Sequence, residues 1–498
     1  MQTNRHWPWL LWLWFFMVLG CATPCPPRTP LYGDRPGACR AFLESLDQTV
    51  KADGVKDDAS FSVPCFPYLR CNRFLSALKM NLKNLDQRAY WLKWMQQLDL
   101  EGRQREINNL SDRAILSLCL NGSQEPDRRR LYGEAVACSD QLFTQESTRS
   151  GFYGSLYPHV SVPDEYSSFM RAAGLYPLAS VPVTIVTAKV RRKIRSWFDL
   201  KTEDLKITGE LTAYAPHDEI FLGDREIENI IDEASRNPLG VPRLNATQEQ
   251  KLVAHFAPIV IQDLAAAYDE FGKVRWEGDS LAIEPGNPTV YYYISHAFLK
   301  GEPILQLNYV IWYSARDGNN SPWMERGPLD GLTFRISLDR RGKIFMVDVA
   351  NSCGCYHFFS PKKERVLRVI SKRFALDPFV PQWLPEVPPE KRLAIRVNSG
   401  WHQVQRLLAA ASQADGAGYM LIPYQALEAL PRDDDHSESM FDSEGIAKGS
   451  ERIEPFILFP MGIPSVGSMR QRGSHAVELS GRAHFDDPCL FDRNFIFK

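Results

Sequence analysis

In the first third of the chain, hydrophobic positions recur at spacings of three and four: Phe74, Leu75, Leu78, Leu82, Leu85, Tyr90, Trp91, Trp94, Met95 and Leu98. That period lays one apolar stripe along a helix. A similar stripe opens at Ala38 with Cys39, Phe42, Leu43 and Leu46, and another runs from Arg130 to Leu142. Asn109-Leu110-Ser111-Asp112 supplies the capping chemistry for a helix reaching Leu118. Residues 38–145 therefore read as an all-helical domain whose Trp and Tyr side chains form core. Residues 146–182, rich in Gly, Tyr, Pro and Ser and interrupted at Tyr157-Pro158 and Tyr176-Pro177, read as a linker or wrapping loop.

The period then changes. Val183–Val186 reads as a short strand, and Thr247–Phe256 as a capped helix stopped by Pro258. From Thr289 the pattern is β-branched, aromatic and alternating. Thr289–Phe298 and Ile304–Tyr313 are joined by Lys300-Gly301-Glu302, and Leu332–Asp339 and Lys343–Val349 by Arg340-Arg341-Gly342. These hairpins predict an antiparallel sheet over 289–349. Helices are expected again around Lys362–Arg373 and Trp401–Ala411, before a Gly- and Pro-rich C-terminal segment. The fold class is α+β: an N-terminal disulfide-stapled helical domain, then an α+β domain (183–498) built on an antiparallel sheet.

The first residues change the picture. Arg5 and His6 precede an apolar run, Trp7 to Gly20, which is shorter than the ~20 residues of a membrane span and matches a signal-peptide core. It ends in Val18-Leu19-Gly20-Cys21, which resembles the lipobox of bacterial lipoproteins. The resemblance implies removal of residues 1–20 and acylation of Cys21, with 21–37 as a Pro-rich tether. Ala22, rather than Asp, after that cysteine implies the outer membrane of the cell envelope, with the body facing the periplasm. An ordinary signal peptide and an uncleaved anchor are the alternatives. With 58 basic and 60 acidic side chains among 498 residues, nothing electrostatic favours nucleic acid. The dense basic run, Lys189 to Arg195, reads as a solvated helix face or a contact with a membrane surface.

Export makes disulfides permissible. Cys25, Cys39, Cys65, Cys71, Cys119 and Cys138 form an upstream set able to make up to three bridges, and Cys353, Cys355 and Cys489 lie downstream. With Cys21 acylated, the downstream set is odd and leaves a thiol, a metal ligand or an intermolecular partner.

The sharpest chemical motif is Cys353-Gly354-Cys355-Tyr356-His357. If it is extended, side chains 353, 355 and 357 share a face, and two sulfurs with an imidazole suit zinc. His402, His296 and Cys489 are candidate fourth ligands, His402 foremost. The competing readings are a structural disulfide, Cys353 with Cys355 or either with Cys489, and a Cys355 nucleophile whose histidine base needs an orienting group such as Asp348. On the sheet, Gln306 and Asn308 share a face, as do Thr333, Arg335 and Ser337. That face is either solvated or the floor of a cleft in which Arg335 grips an anion and His296 acts as acid or base. Hairpin register decides which face His296 joins. In the tail, Pro464–His475 could form an anion nest, and His484 with Asp486 or Asp487 an acid–base pair.

There is no Gly-x-Ser-x-Gly, His-Glu-x-x-His or Gly-x-Gly-x-x-Gly motif, so the standard serine-hydrolase, zincin and dinucleotide readings lose support. Two functions remain: an envelope lipoprotein that binds or scaffolds a protein or envelope partner, and an envelope hydrolase built on Cys355, His357, His296 and Arg335, with or without zinc.

Overall fold

Helix α1 (Asp34–Ala52), helix α2 (Leu85–Asn109) and helix α3 (Arg128–Ser147) carry the N-terminal core. The computed structural model describes residues 34–118, 127–372, 375–411, 417–432 and 436–498. The signal run, Cys21, Cys25 and Cys119 lie outside them. Cys39 on α1 is bridged to Cys138 on α3, with Cα atoms 4.9 Å apart, and Cys65 is also disulfide-bonded. Cys71 is a buried free thiol, so the upstream set does not pair throughout.

This region is not all-helical. Phe61–Val63 and Phe66–Cys71 form a hairpin, and Arg70 on it meets Asp99 and Glu106 on α2 in a buried ion pair. The long stripe from Phe74 breaks into Arg73–Leu78 and α2 because Asn72 and Asn84 each accept a backbone N–H as helix caps. Residues 146–182, expected as a linker or wrapping loop, are partly helical. They contain short helices, Phe152–Leu156 and Ser168–Ala173, and the start of α4 (Tyr176–Asp199). Pro177 sits in the first turn of α4, where a missing N–H costs nothing, and Val183–Val186 is helix rather than strand.

A ten-stranded sheet organises the rest. In chain order its strands are β1 (Glu210–Pro216), β2 (Ile259–Leu264), β3 (Thr289–Leu299), β4 (Glu302–Arg316), β5 (Gly327–Leu338), β6 (Ile344–Asn351), β7 (Phe358–Pro361), β8 (Lys391–Val397), β9 (Val404–Ala411) and β10 (Gly418–Pro423). Their spatial order is β7-β6-β5-β4-β3-β10-β1-β2-β8-β9. The expected hairpins are present, with Lys300 and Gly301 at positive φ in the β3–β4 turn. The sheet is mixed, because β10 joins β3 and β1 in parallel, and β8 joins β2 in parallel. The helices expected at Lys362–Arg373 and Trp401–Ala411 are instead a short turn followed by strand Val366–Val369, and β9. Both segments pair with distant chain, Val366–Val369 with Phe495–Phe497 and β9 with β8. Tertiary pairing there overrides the helix propensity of Leu and Ala.

Both faces of β3–β6 are covered. Leu305, Leu307, Tyr309 and Ile311 pack with Ile194 and Phe198 of α4 and with Leu252 and Val253 of helix α5 (Ala246–Phe256). The opposite face is largely buried rather than solvated, and Tyr293, Ser295 and Arg335 on it border a cavity. Gln306 donates to Ser337 at 3.1 Å and accepts from Ser295 at 3.0 Å, while Asn308 donates to Ser295 at 2.9 Å. Self-pairing lets this polar layer lie buried beneath the C-terminal segment.

Candidate functional site

The segment after β6 turns instead of extending. Gly354 has φ +80° and donates to Asn351 O at 2.7 Å, while Asn351 N donates to Cys355 O at 3.1 Å. A Cβ on Gly354 would lie 2.2 Å from Ala476 O, so only glycine fits. The turn places Cys353 inward, among the core residues that include Tyr291, Tyr293 and Trp312, and Cys355 half-buried in front of it. Cys355 N donates to Cys353 Sγ at 3.4 Å, and both thiols are free. Cys489 packs instead against the N-terminal helical core, so it bridges neither of them.

The zinc ligand set is not assembled. His357 Nε2 lies 2.9 Å from Asp348 Oδ2, and Asp348 takes a two-bonded grip from Arg335 at 2.9 and 2.6 Å. The carboxylate can only accept, so Nε2 carries the proton. Burial holds His357 below the usual imidazole range against the opposing pull of Asp348. His402 stands elsewhere, with Nδ1 2.8 Å from Asp330, Nε2 3.3 Å from Asp269 and its ring stacked 3.8 Å from Tyr313. Burial opposes its charge, but the two aspartates win and raise it above the usual range. Among the described residues, no three His, Cys, Asp or Glu side chains could hold a metal ion.

Register answers the question of His296. It pairs with Leu305, on the face opposite Arg335. Its Nε2 donates to Pro242 O at 2.9 Å, its ring packs on Phe74 and Trp94, and burial pushes it down to about 4. Both residues nonetheless border one polar cavity of about 300 Å3, because past Tyr292 strand β3 is paired on one side only. Four of the five arginines around that cavity are paired with carboxylates, Arg335 with Asp348, Arg73 with Glu165 and Asp486, Arg472 with Glu428 and Arg105 with Asp57 and Glu428, while Arg243 bonds Gln97. His484 meets Asp164 and Glu165, at 3.3 and 3.4 Å, rather than its sequence neighbours, and Arg470 and Arg472 of the expected anion nest bond Pro464 O and Glu428.

The Cys353 turn forms part of the wall of a second cavity, about 370 Å3, largely lined by carbon. Pro182, Val183, Val186, Val190 and Ile194 of α4 face Cys355, Tyr356, His357, Phe379, Val466 and, from the short helix α6 (Glu454–Leu458), Ile457 and Leu458. Its volume and composition suit a small apolar ligand held by few polar groups. Val186 and Ile457 also reach the surface, where Phe169, Leu175, Leu178, Val181, Ile185 and Phe456 are exposed, Phe456 to 88 %. Lys189, Arg192, Lys193 and Arg195 project from the following turns of α4.

One polar group in this cavity escaped the sequence. Glu454 is 5 % exposed, Oε2 has no hydrogen-bond partner among the described residues, and burial, with Glu325 adding, pushes its carboxyl up to about 7. Behind the turn, buried Arg316 grips Asp330 at 2.9 and 2.7 Å and Glu325 at 2.8 Å, and Glu325 also accepts from Tyr356 and from Trp401 at 3.0 Å. No local motif marks Arg316 or Glu454; Arg316 takes its partners from chain nine and fourteen residues on, and Glu454 its burial and the charge of Glu325 from distant chain. No family model, curated protein or solved structure matches this chain.

Proposed function

We propose that this chain is a bacterial cell-envelope lipoprotein, anchored through an acylated Cys21 and facing the periplasm, that binds an apolar chain in the cavity beneath α4. One observation carries the reading: the carbon-lined cavity opens onto a rim of exposed apolar side chains. Exposed apolar groups of that extent mark interaction surfaces in water-soluble bodies. Here they sit beside the basic turns of α4, the pairing that suits an anionic phospholipid surface. Among the described residues no helix is long and apolar enough to cross a membrane, which is compatible with a lipid anchor. In this reading the Cys39–Cys138 bridge staples the helical region in an oxidising compartment.

The test is binding of an environment-sensitive fluorescent fatty acid to the full chain. Saturable binding is expected, displaced by unlabelled fatty acid and lost in Val190→Trp, which fills the cavity. Absence of binding, or binding indifferent to Val190→Trp, overturns the proposal.

A second reading, an envelope hydrolase, rests on the His357–Asp348 bond and on Cys355 and His357 sharing this cavity. Nucleophile, base and orienting carboxylate are then Cys355, His357 and Asp348. Ester hydrolysis by the full chain, abolished by Cys355→Ser and by His357→Gln, is its expected result; hydrolysis unchanged in either variant refutes it.

A further inference from the structure

We infer that Cys353 and Cys355 form a redox-active dithiol in the cavity wall, able to reduce a disulfide that reaches it from solvent. The inference goes beyond the binding reading and does not rest on it. The two thiols are held together by the turn itself, through Gly354 at φ +80° and the Cys355 N–H to Cys353 Sγ bond of 3.4 Å. They differ in access. Cys353 is 3 % exposed, whereas Cys355 stands in front of it at the cavity wall.

They also differ in charge. Burial disfavours a Cys353 thiolate, yet the hydrogen bond from Cys355 and the positive charge of Arg316 bring that sulfur below the usual thiol range. The same S–H···S bond, with burial behind it, holds Cys355 above the usual range. Of the two sulfurs Cys353 is thus the one that gives up its proton more readily, and it does so opposite Arg316. Glu454, buried in the same cavity with Oε2 lacking a hydrogen-bond partner among the described residues, is placed to exchange the Cys355 proton with solvent.

The chemistry balances without any other co-reactant. The Cys355 proton passes to Glu454, and the Cys355 thiolate attacks one sulfur of R–S–S–R′, forming Cys355–S–S–R and expelling R′–S⁻, which takes that proton from Glu454. The Cys353 proton then passes to the same carboxylate, and the Cys353 thiolate attacks Cys355 Sγ, forming the Cys353–Cys355 bridge and expelling R–S⁻, which takes up that proton. The dithiol loses two electrons and two protons, and the incoming disulfide leaves as two thiols.

The test equilibrates the detergent-solubilised full chain with buffers of graded reduced-to-oxidised glutathione ratio, followed by alkylation and peptide mass mapping, which separates this pair from Cys71 and Cys489. The peptide containing both cysteines is expected to shift between dialkylated and bridged forms at a single ratio. Folded Cys353→Ser should retain glutathione on Cys355, folded Cys355→Ser should retain none on Cys353, and Glu454→Gln should slow bridge formation by roughly tenfold at neutral pH. A pair that stays dialkylated at every ratio, or a bridge that excess dithiol cannot open in the folded protein, overturns the inference. So does failure of folded Cys353→Ser to take up glutathione. The wild-type titration decides the question even if a variant does not fold.

Discussion

Replacing His402 by phenylalanine probes the buried charge network behind the Cys353 turn. The new ring preserves the volume and the stacking on Tyr313 at 3.8 Å, so the change removes chiefly the contacts to Asp330 at 2.8 Å and Asp269 at 3.3 Å. Each contact between charged groups is worth about 1.5–3 kcal/mol, and breaking a buried pair costs about 3–5 kcal/mol. The aspartates keep other partners: Arg316 on Asp330, and Ser399, Gly400 N and Ala265 N on Asp269. The expected loss is therefore at the lower end, about 3 kcal/mol. Guanidinium unfolding followed by tryptophan fluorescence, with unchanged denaturant slope, measures it. The sign with pH follows from linkage. His402 is raised in the folded chain, so its contribution is complete below the unfolded value of about 6.5 and declines as pH rises through the folded value. The gap between wild type and His402→Phe should be widest in mild acid and narrow in base. A loss below about 1 kcal/mol, or a gap independent of pH, refutes the reasoning that the two aspartates favour the protonated form of His402.

Removing the Cys39–Cys138 bridge, which spans 99 residues of chain, should cost about 2–5 kcal/mol, read as a lower thermal midpoint, while leaving fatty-acid binding unchanged at a temperature where the protein remains folded. Gly354→Ala places a Cβ 2.2 Å from Ala476 O at φ +80°, so it should destabilise by more than about 1 kcal/mol in a denaturant titration and slow bridge formation between Cys353 and Cys355. His475 is pushed down to about 4 by burial. Stability tied to it is complete above about pH 6.5 and falls as pH drops towards 4; His475→Phe should make the acid limb of the melting-temperature profile shallower.

Where the sequence was legible, the information was local. The β3–β4 and β5–β6 hairpins, the helix expected at Thr247–Phe256, whose cap is Asn245, and the apolar face of β4 were readable because an alternating period, a Gly-containing turn and helical periodicity all act over a few neighbours. The motif Cys353–His357 was visible as chemistry, but an extended period and a tight turn place the same residues differently, and the choice is made by Ala476 O pressing on Gly354. The same limit explains β9, whose Leu-Leu-Ala-Ala run becomes strand only because β8 offers it a hydrogen-bonding edge. It also explains α4, where Pro177 looked like an interruption until it proved to be in the first turn of a helix.

By itself the sequence determined the α+β class, the principal hairpins, the near-neutral charge that argues against nucleic acid, and the residue types available for thiol chemistry. Tertiary structure alone decided that His357 bonds Asp348, that His296 and Arg335 lie on opposite faces, and that Glu454 and Arg316 join the Cys353 turn. The division has a physical cause. Periodicity and turn chemistry are properties of adjacent residues, whereas the desolvation and Coulomb interactions that give a thiol, imidazole or carboxyl its chemistry depend on side chains that only the fold brings together.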